Sequence, residues 1–139
     1  MSISLEEKLA IHELLGRAAF AYDDRDTQML ADCFAEDAEF SMRIGGGDLV
    51  GPFVGREGIM SLMTGSMEEQ TDVRRHVVSN IFFDERIQGD PLAISNLTLM
   101  ATENDEIKLL SAGVYRDTVA RIDGQWRIAN RYLELDKSY

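Results

Sequence analysis

Two ionisable side chains, Asp23 and His76, are candidates for a proton-transfer reaction. Asp23 lies at the end of a predicted helix, four residues beyond Ala19 on the edge of its apolar stripe, and His76 lies on a predicted strand. A carboxylate aimed at an apolar interior is destabilised in its ionised form and can serve as a base, and imidazole is the usual proton carrier near neutral pH. Without further information, residue types and spacing favour the other interpretation, a solvated helix-end aspartate and a hydrogen-bonded core histidine.

Other polar residues on the predicted strands could hydrogen-bond the oxygen atoms of a ligand. The candidates are Asn80, Asn96, Ser111, Tyr115, Asn130 and Tyr132. A sheet with one wet face carries such residues routinely, so this interpretation also has an alternative. The two-residue strand period places His76 on one face with Val78, Asn80 and Phe82. Four charged residues are predicted to form ion pairs between neighbouring strands rather than to act on a ligand: Arg116, Asp117, Arg127 and Arg131.

Composition argues against several function classes. The chain has 14 basic and 25 acidic residues and a formal charge of -11, whereas nucleic acids and anionic membranes select clustered Lys and Arg. One cysteine and two histidines do not supply a usual zinc site, and Gly45-Gly46-Gly47 lacks the lysine of a phosphate loop. Cys33 is expected to be a buried structural thiol. We therefore expect acid–base chemistry without metal or organic cofactor, no nucleic-acid or membrane partner, and a cytoplasmic location.

The N-terminal half shows helical patterns. Ser4 and Glu7 have the spacing of a capping box, and an apolar stripe from Ile11 to Tyr22 predicts an amphipathic helix that ends near residues 23–25. A second short helix is predicted to begin at Asp26, with Cys33 on its inner face. A strand is predicted over residues 38–44 and a third helix over 56–67.

The C-terminal half is typical of a sheet. Turn signals at 88–91, 103–105 and 123–124 separate four predicted strands, at residues 74–85, 92–102, 107–121 and 125–135. Strands with short connections pair antiparallel. Helices followed by a four-stranded meander predict one α+β domain over residues 1–139.

The order and spacing of these short motifs resemble the SnoaL-like branch of the nuclear-transport-factor-2-like superfamily. The resemblance spans nearly the whole chain, through residues 11–15, 22–26, 30–38, 55–59, 76–80 and 123–128. It implies a cone-shaped fold, in which N-terminal helices pack on a strongly curved mixed or antiparallel sheet and enclose an apolar pocket.

The resemblance also implies roles for individual residues. Members such as scytalone dehydratase, bile-acid dehydratases and hexachlorocyclohexane dehydrochlorinase pair an aspartate at the end of the first helix with a histidine on the first long strand. Those positions match Asp23 and His76, and the tyrosine before the aspartate in scytalone dehydratase matches Tyr22. The implied function is a dehydratase-type lyase or an isomerase for a hydrophobic cyclic molecule. Scytalone dehydratase carries a second histidine on a later strand that this chain lacks.

A second resemblance implies a different function. Residues 75–80, 95–96, 113–117, 126–131 and 135–136 are also similar to the small β subunit of aromatic-ring-hydroxylating dioxygenases, which shares the fold and packs against an iron-bearing α subunit. Those subunits are usually longer at the N-terminus. The expectations are therefore an enzyme, with a non-catalytic dioxygenase subunit or a small-molecule-binding domain as alternatives, assembled as a homodimer or homotrimer.

Overall fold

A computed structural model describes residues 3–139. Two helices begin the chain, α1 (Leu5–Asp23) and α2 (Thr27–Asp32), followed by strands β1 (Phe34–Ile44) and β2 (Val50–Val54). Helix α3 (Gly55–Glu69) precedes the four remaining strands, β3 (Val73–Phe83), β4 (Leu92–Glu103), β5 (Glu106–Ile122) and β6 (Gln125–Leu135). The predicted α+β class and the order of helices before a meander are confirmed.

Local signals set the ends of the first two helices. The Ser4 hydroxyl accepts a hydrogen bond from the Glu7 amide, and the Glu7 carboxylate accepts one from the Ser4 amide, which is the predicted capping box. Asp26 caps α2 by accepting from the Met29 amide at 3.1 Å. Cys33 lies just after α2 and is buried, and burial raises the pKa of its thiol, as expected for a structural cysteine.

The six strands form one open mixed sheet in the order β2-β1-β6-β5-β4-β3. Strands β3 to β6 make the predicted antiparallel meander, whereas β1 runs parallel to β6. Helix α1 packs on β3 and α3 packs on β1, so the helices cover one face of the sheet. Between the helices and that face lies the apolar core, which includes Ile11, Leu15 and Phe34.

The structure corrects the predicted faces of β3. The strand carries an irregularity between Ser79 and Phe82, and Asn80 adopts a left-handed backbone with φ 55°. An inserted residue of this kind reverses the alternation of side chains beyond it. His76 and Val78 therefore share the covered side with Ile81, while Asn80 and Phe82 are exposed, contrary to the expected two-residue period.

Two further differences concern residues 33–54. Strand β1 begins at Phe34, four residues before the predicted start, and β2 was not predicted at all. Strand β2 lies at the edge of the sheet and pairs only with β1. Edge positions tolerate the proline at residue 52, which as a sequence signal argues against a strand.

Candidate active site

Asp23 and His76 meet where the end of α1 packs on β3. Asp23 Oδ1 lies 2.6 Å from His76 Nδ1, and Asp23 Oδ2 accepts a hydrogen bond from the His76 backbone amide at 2.8 Å. Both side chains are largely buried, 9% exposed for Asp23 and 13% for His76. One carboxylate thus fixes both the position and the ring orientation of the histidine.

This contact also decides which ring nitrogen can act as a base. An ionised carboxylate only accepts hydrogen bonds, so Nδ1 carries the proton that bonds to Asp23. In the neutral ring the lone pair then lies on Nε2. No protein group in residues 3–139 hydrogen-bonds Nε2, and His76 lines a cavity. The arrangement has the parts of a general base with its orienting carboxylate.

The cavity has a volume of about 290 Å³ and lies between the helices and the face of the sheet that they cover. Most of its wall is apolar, contributed by every helix and by strands β1, β2 and β6. The apolar lining residues are Ala18, Ala19, Leu30, Phe34, Phe40, Met42, Ile44, Val50, Phe53, Leu62, Met63, Leu133 and Leu135. The polar lining residues are Tyr22, Ser66, His76, Tyr115, Arg131, Ser138 and Tyr139.

Tyr22 packs against the histidine one residue before Asp23 on α1. Its ring meets the His76 ring edge-on, with 4.8 Å between the centroids. The Tyr22 hydroxyl accepts a hydrogen bond from Gln70 Nε2 at 2.5 Å. Burial raises the pKa of Tyr22, and the bond from Gln70 opposes this shift. Tyr22 therefore stays protonated, and its hydroxyl oxygen accepts one hydrogen bond from the protein.

A buried ion pair forms a second polar group in the cavity wall. Arg131 donates through Nε and Nη2 to the two carboxylate oxygens of Asp117, at 2.7 and 3.1 Å. The guanidinium carbon lies 3.9 Å from the centroid of the Tyr115 ring. Burial by itself would lower the pKa of Arg131, but the Asp117 carboxylate outweighs it and the pKa is raised. The positive charge on Arg131 is thus permanent.

The family profile described as a SnoaL-like domain matches residues 4–132. The chain belongs to the SnoaL-like family. No curated protein sequence matches it. The predicted family is confirmed, and the match covers α1 through most of β6, including the elements that hold Asp23 and His76.

Several solved structures are similar to this SnoaL-like domain over most of its length. A Catenulispora acidiphila protein in complex with S-DNPA is 25% identical, with a TM-score of 0.81 and coverage of 96% of each chain. A scytalone dehydratase-like protein from Novosphingobium aromaticivorans is also 25% identical, with a TM-score of 0.75, covering 94% of this chain and 85% of the other. A protein from the same organism with an NTF2-like, cystatin-like fold is 22% identical, with a TM-score of 0.78, covering 94% and 82%.

Of the substrate-binding residues predicted from the sequence, the SnoaL-like structure brings only Tyr115 to the cavity. Asn80, Asn96 and Asn130 are exposed, because Asn80 sits in the irregularity of β3 and the other two alternate with inward-facing neighbours. Ser111 is buried, but its hydroxyl donates to the Lys137 carbonyl at 2.7 Å and is used by the protein itself.

Tyr132 also lies away from the cavity. It borders a separate shallow groove with Arg43 and Glu134, because its neighbours Arg131 and Leu133 point to the covered face. The predicted inter-strand ion pairs are present for Arg131 with Asp117 and for Arg116 with Glu134. Arg127 instead donates hydrogen bonds to the Asp32 carbonyl and to Gln125 Oε1.

Arg131 is the lining residue that the sequence interpretation assigned to structure alone. The sequence contained a signal for this position, because Arg131 lies on the same face of the strand as Leu133 and Leu135. A charged residue on a face that points to the core is buried. Across residues 3–139, no three His, Cys, Asp or Glu side chains converge as a metal ion would require. None of the helices in that part of the chain is long and apolar enough to cross a membrane.

Proposed function

We propose that this SnoaL-like domain is a cofactor-independent lyase or isomerase, in which Asp23 and His76 act as an acid–base pair on a hydrophobic cyclic small molecule. The observation that carries the proposal is the His76 ring, which Asp23 holds through Nδ1 and which lines a largely apolar cavity, with Nε2 left without a protein partner in residues 3–139. General-base geometry of this kind typically supplies a factor of about 10²–10⁴ in rate. The likeness to a scytalone dehydratase-like protein supports the same reaction class.

The proposed step is an elimination. His76 Nε2 takes a proton from a ring carbon, and the electron pair of that C–H bond forms a carbon–carbon double bond as a hydroxyl on the next carbon departs. The imidazolium formed by His76 returns its proton to the departing hydroxyl, which leaves as water. Asp23 stabilises the imidazolium through the 2.6 Å contact at Nδ1. In an isomerase the same proton returns to another ring carbon.

The size of the cavity limits the substrate. Its volume of about 290 Å³ lies just below the range of roughly 300–1,000 Å³ for small-molecule pockets. Its wall is mostly aromatic and aliphatic, with about one third of the lining residues polar. A neutral compound of one to a few fused rings, bearing one or two oxygen atoms, fits this volume and lining.

The test uses 3-hydroxy-1-tetralone, which loses water to give 1-naphthol, followed by absorbance. We expect the wild-type protein to accelerate the elimination and Asp23→Asn and His76→Gln to lose at least about 10²-fold of the rate. Asp24→Asn makes the same chemical change at the neighbouring exposed aspartate and should keep the activity. His12→Gln, on an exposed helical position, is the matching control for His76.

Equal activity of Asp23→Asn and Asp24→Asn would refute the acid–base pair. No acceleration by the wild-type protein, across this and related cyclic hydroxyketones, would refute the lyase. Recovery of a large iron–sulfur protein together with the chain from native extract, combined with no turnover, would instead support the dioxygenase-subunit alternative.

A further inference from the structure

Tyr115 is the most buried of the hydroxyl-bearing residues in the cavity wall. Tyr115 is 6% exposed and lines the cavity, and no hydrogen bond within residues 3–139 involves its hydroxyl. The sealed side-chain polar atoms that lack a partner in this part of the chain comprise Ser95 Oγ alone. The Tyr115 oxygen is therefore accessible, and since the residue is buried, the accessible part faces the cavity. A hydroxyl in this position can hydrogen-bond a ligand or a water molecule that enters the cavity.

Tyr22, the other phenol beside His76, is placed differently. Its hydroxyl accepts the Gln70 amide, and its ring covers the edge of the imidazole. Its position suits packing and orienting the histidine. Tyr115 instead lies on β5, and its hydroxyl neither donates nor accepts a hydrogen bond within residues 3–139.

A positively charged side chain lies against the Tyr115 ring and is held in place by a neighbouring carboxylate. Asp117 follows Tyr115 by two residues on the same face of β5, and Arg131 lies opposite Asp117 on β6. The pair places a permanent guanidinium 3.9 Å from the Tyr115 ring centroid. A cation against the face of a phenol draws electron density from the ring and strengthens the O–H as a hydrogen-bond donor. Asp117 holds the guanidinium in this position with two hydrogen bonds.

We infer that Tyr115 donates a hydrogen bond to a ring carbonyl of the substrate, and that the Asp117–Arg131 pair sets the strength of that bond. The inference rests on the proposed function and narrows its substrate to a cyclic ketone. His76 Nε2 takes the proton from the carbon beside the carbonyl, and the electron pair moves onto the carbonyl oxygen. Tyr115 stabilises this enolate oxygen. As the carbonyl re-forms, the hydroxyl on the β carbon leaves with the proton from His76, giving an enone and water.

The protonation of Tyr115 agrees with the role of a donor. Burial raises its pKa to about 12, and the Arg131 charge opposes part of that shift. Tyr115 therefore keeps its proton throughout the neutral range and cannot act as the base. The enolate is stabilised by hydrogen bonding where its charge develops, which is the pattern of an oxyanion site.

The experiment compares two bicyclic probes that differ by one oxygen, 1-tetralone and tetralin. We expect Tyr115→Phe to weaken 1-tetralone binding about tenfold and to leave tetralin binding unchanged, because only the ketone accepts the hydrogen bond. Tyr132→Phe makes the same change on a tyrosine outside the cavity and should leave both affinities unchanged. The infrared carbonyl band of bound 1-tetralone should lie at lower frequency in the wild type than in Tyr115→Phe.

The role of the ion pair needs a variant that removes both charges together. Asp117→Leu with Arg131→Met keeps apolar bulk beneath the Tyr115 ring and leaves no unpaired buried charge. In this double variant, checked for folding by circular dichroism, the carbonyl band should fall between those of the wild type and Tyr115→Phe. A band unchanged from the wild type would overturn the role of the pair. The infrared measurement does not require the protein to be catalytically active.

Three results would overturn the role of Tyr115. They are equal losses of ketone and hydrocarbon affinity in Tyr115→Phe, loss of the carbonyl shift in Tyr22→Phe instead, and a wild-type protein with no preference for the ketone. Failure of the proposed function would look different, since 1-tetralone would bind with the full dependence on Tyr115 while 3-hydroxy-1-tetralone would not be converted.

Discussion

The buried ion pair between Asp117 and Arg131 offers a quantitative test of how the interior of this domain is stabilised. Asp117 is fully buried and Arg131 is 7% exposed, so both charges have left water. The two hydrogen bonds at 2.7 and 3.1 Å compensate for that loss only while both partners are present. Comparing Asp117→Leu, Arg131→Met and the double variant separates the cost of one unpaired buried charge from the effect of removing the whole ion pair.

The expected magnitudes follow from burial. Each single variant leaves one uncompensated charge in the interior and should lower the free energy of unfolding by about 3–5 kcal/mol. An unfolding entropy of roughly 2.1 cal/mol/K per residue implies that each kcal/mol lowers Tm by about 3 °C in a chain of this length. The single variants should therefore unfold about 10–15 °C below the wild type. The double variant should lie within about 1 kcal/mol of the wild type or above it, because two apolar side chains replace the pair.

Urea denaturation followed by circular dichroism measures all four proteins, with thermal unfolding as the second assay. An unchanged m-value would show that the variants alter stability and not the extent of unfolding. The reasoning is refuted if the double variant loses as much stability as the two single variants added together, since the two sites would then act independently.

Other predictions concern the backbone, a helix cap and a titration. Gly113→Ala should prevent stable folding, since the added Cβ would clash with the Glu134 carbonyl oxygen. Gly16→Ala has open space in α1 and should raise the free energy of unfolding by about 0.5–1 kcal/mol. Urea denaturation measures both. Ser4→Ala removes the α1 cap and should cost about 1 kcal/mol, or about 3 °C in Tm. Because burial raises the pKa of Tyr115 to about 12 from an ordinary value of 10, the folded state holds that proton more tightly. The stabilisation that this tighter proton binding gives the folded state is complete below pH 10 and is lost as pH rises through 12. The free energy of unfolding of the wild type should therefore fall over this window by about 2–3 kcal/mol more than that of Tyr115→Phe.

Local signals made much of the fold predictable. The capping box at Ser4, the cap at Asp26 and the turns between the C-terminal strands act over a few residues, and each defined an element correctly. Strand β2 and the parallel pairing of β1 with β6 depend on partners distant in sequence, and no local pattern encodes them. The irregularity at Asn80 was not predicted for the same reason, because the two-residue period of a strand does not show where it is interrupted.

The site was predictable in a more limited way. Residue types left two interpretations of Asp23 and His76 open, and family resemblance brought them together as a pair, as the fold does. Proximity of side chains 53 residues apart arises from the packing of α1 on β3, which residue spacing alone does not give. The predicted homodimer or homotrimer and the cytoplasmic location stay predictions.

The parallel pairing of β1 with β6 has a consequence for how the molecule folds. Phe34 lies beside Ile128, 94 positions later in the chain, whereas β4 and β5 join through a tight turn. Closing a long loop costs more chain entropy than closing a short one, so the meander should acquire amide protection from hydrogen exchange before β1 does. Since β1 contributes Phe40 and Met42 to the cavity wall, the cavity is complete only after this last docking. In refolding experiments, recovery of ligand binding should therefore trail recovery of the β-sheet signal.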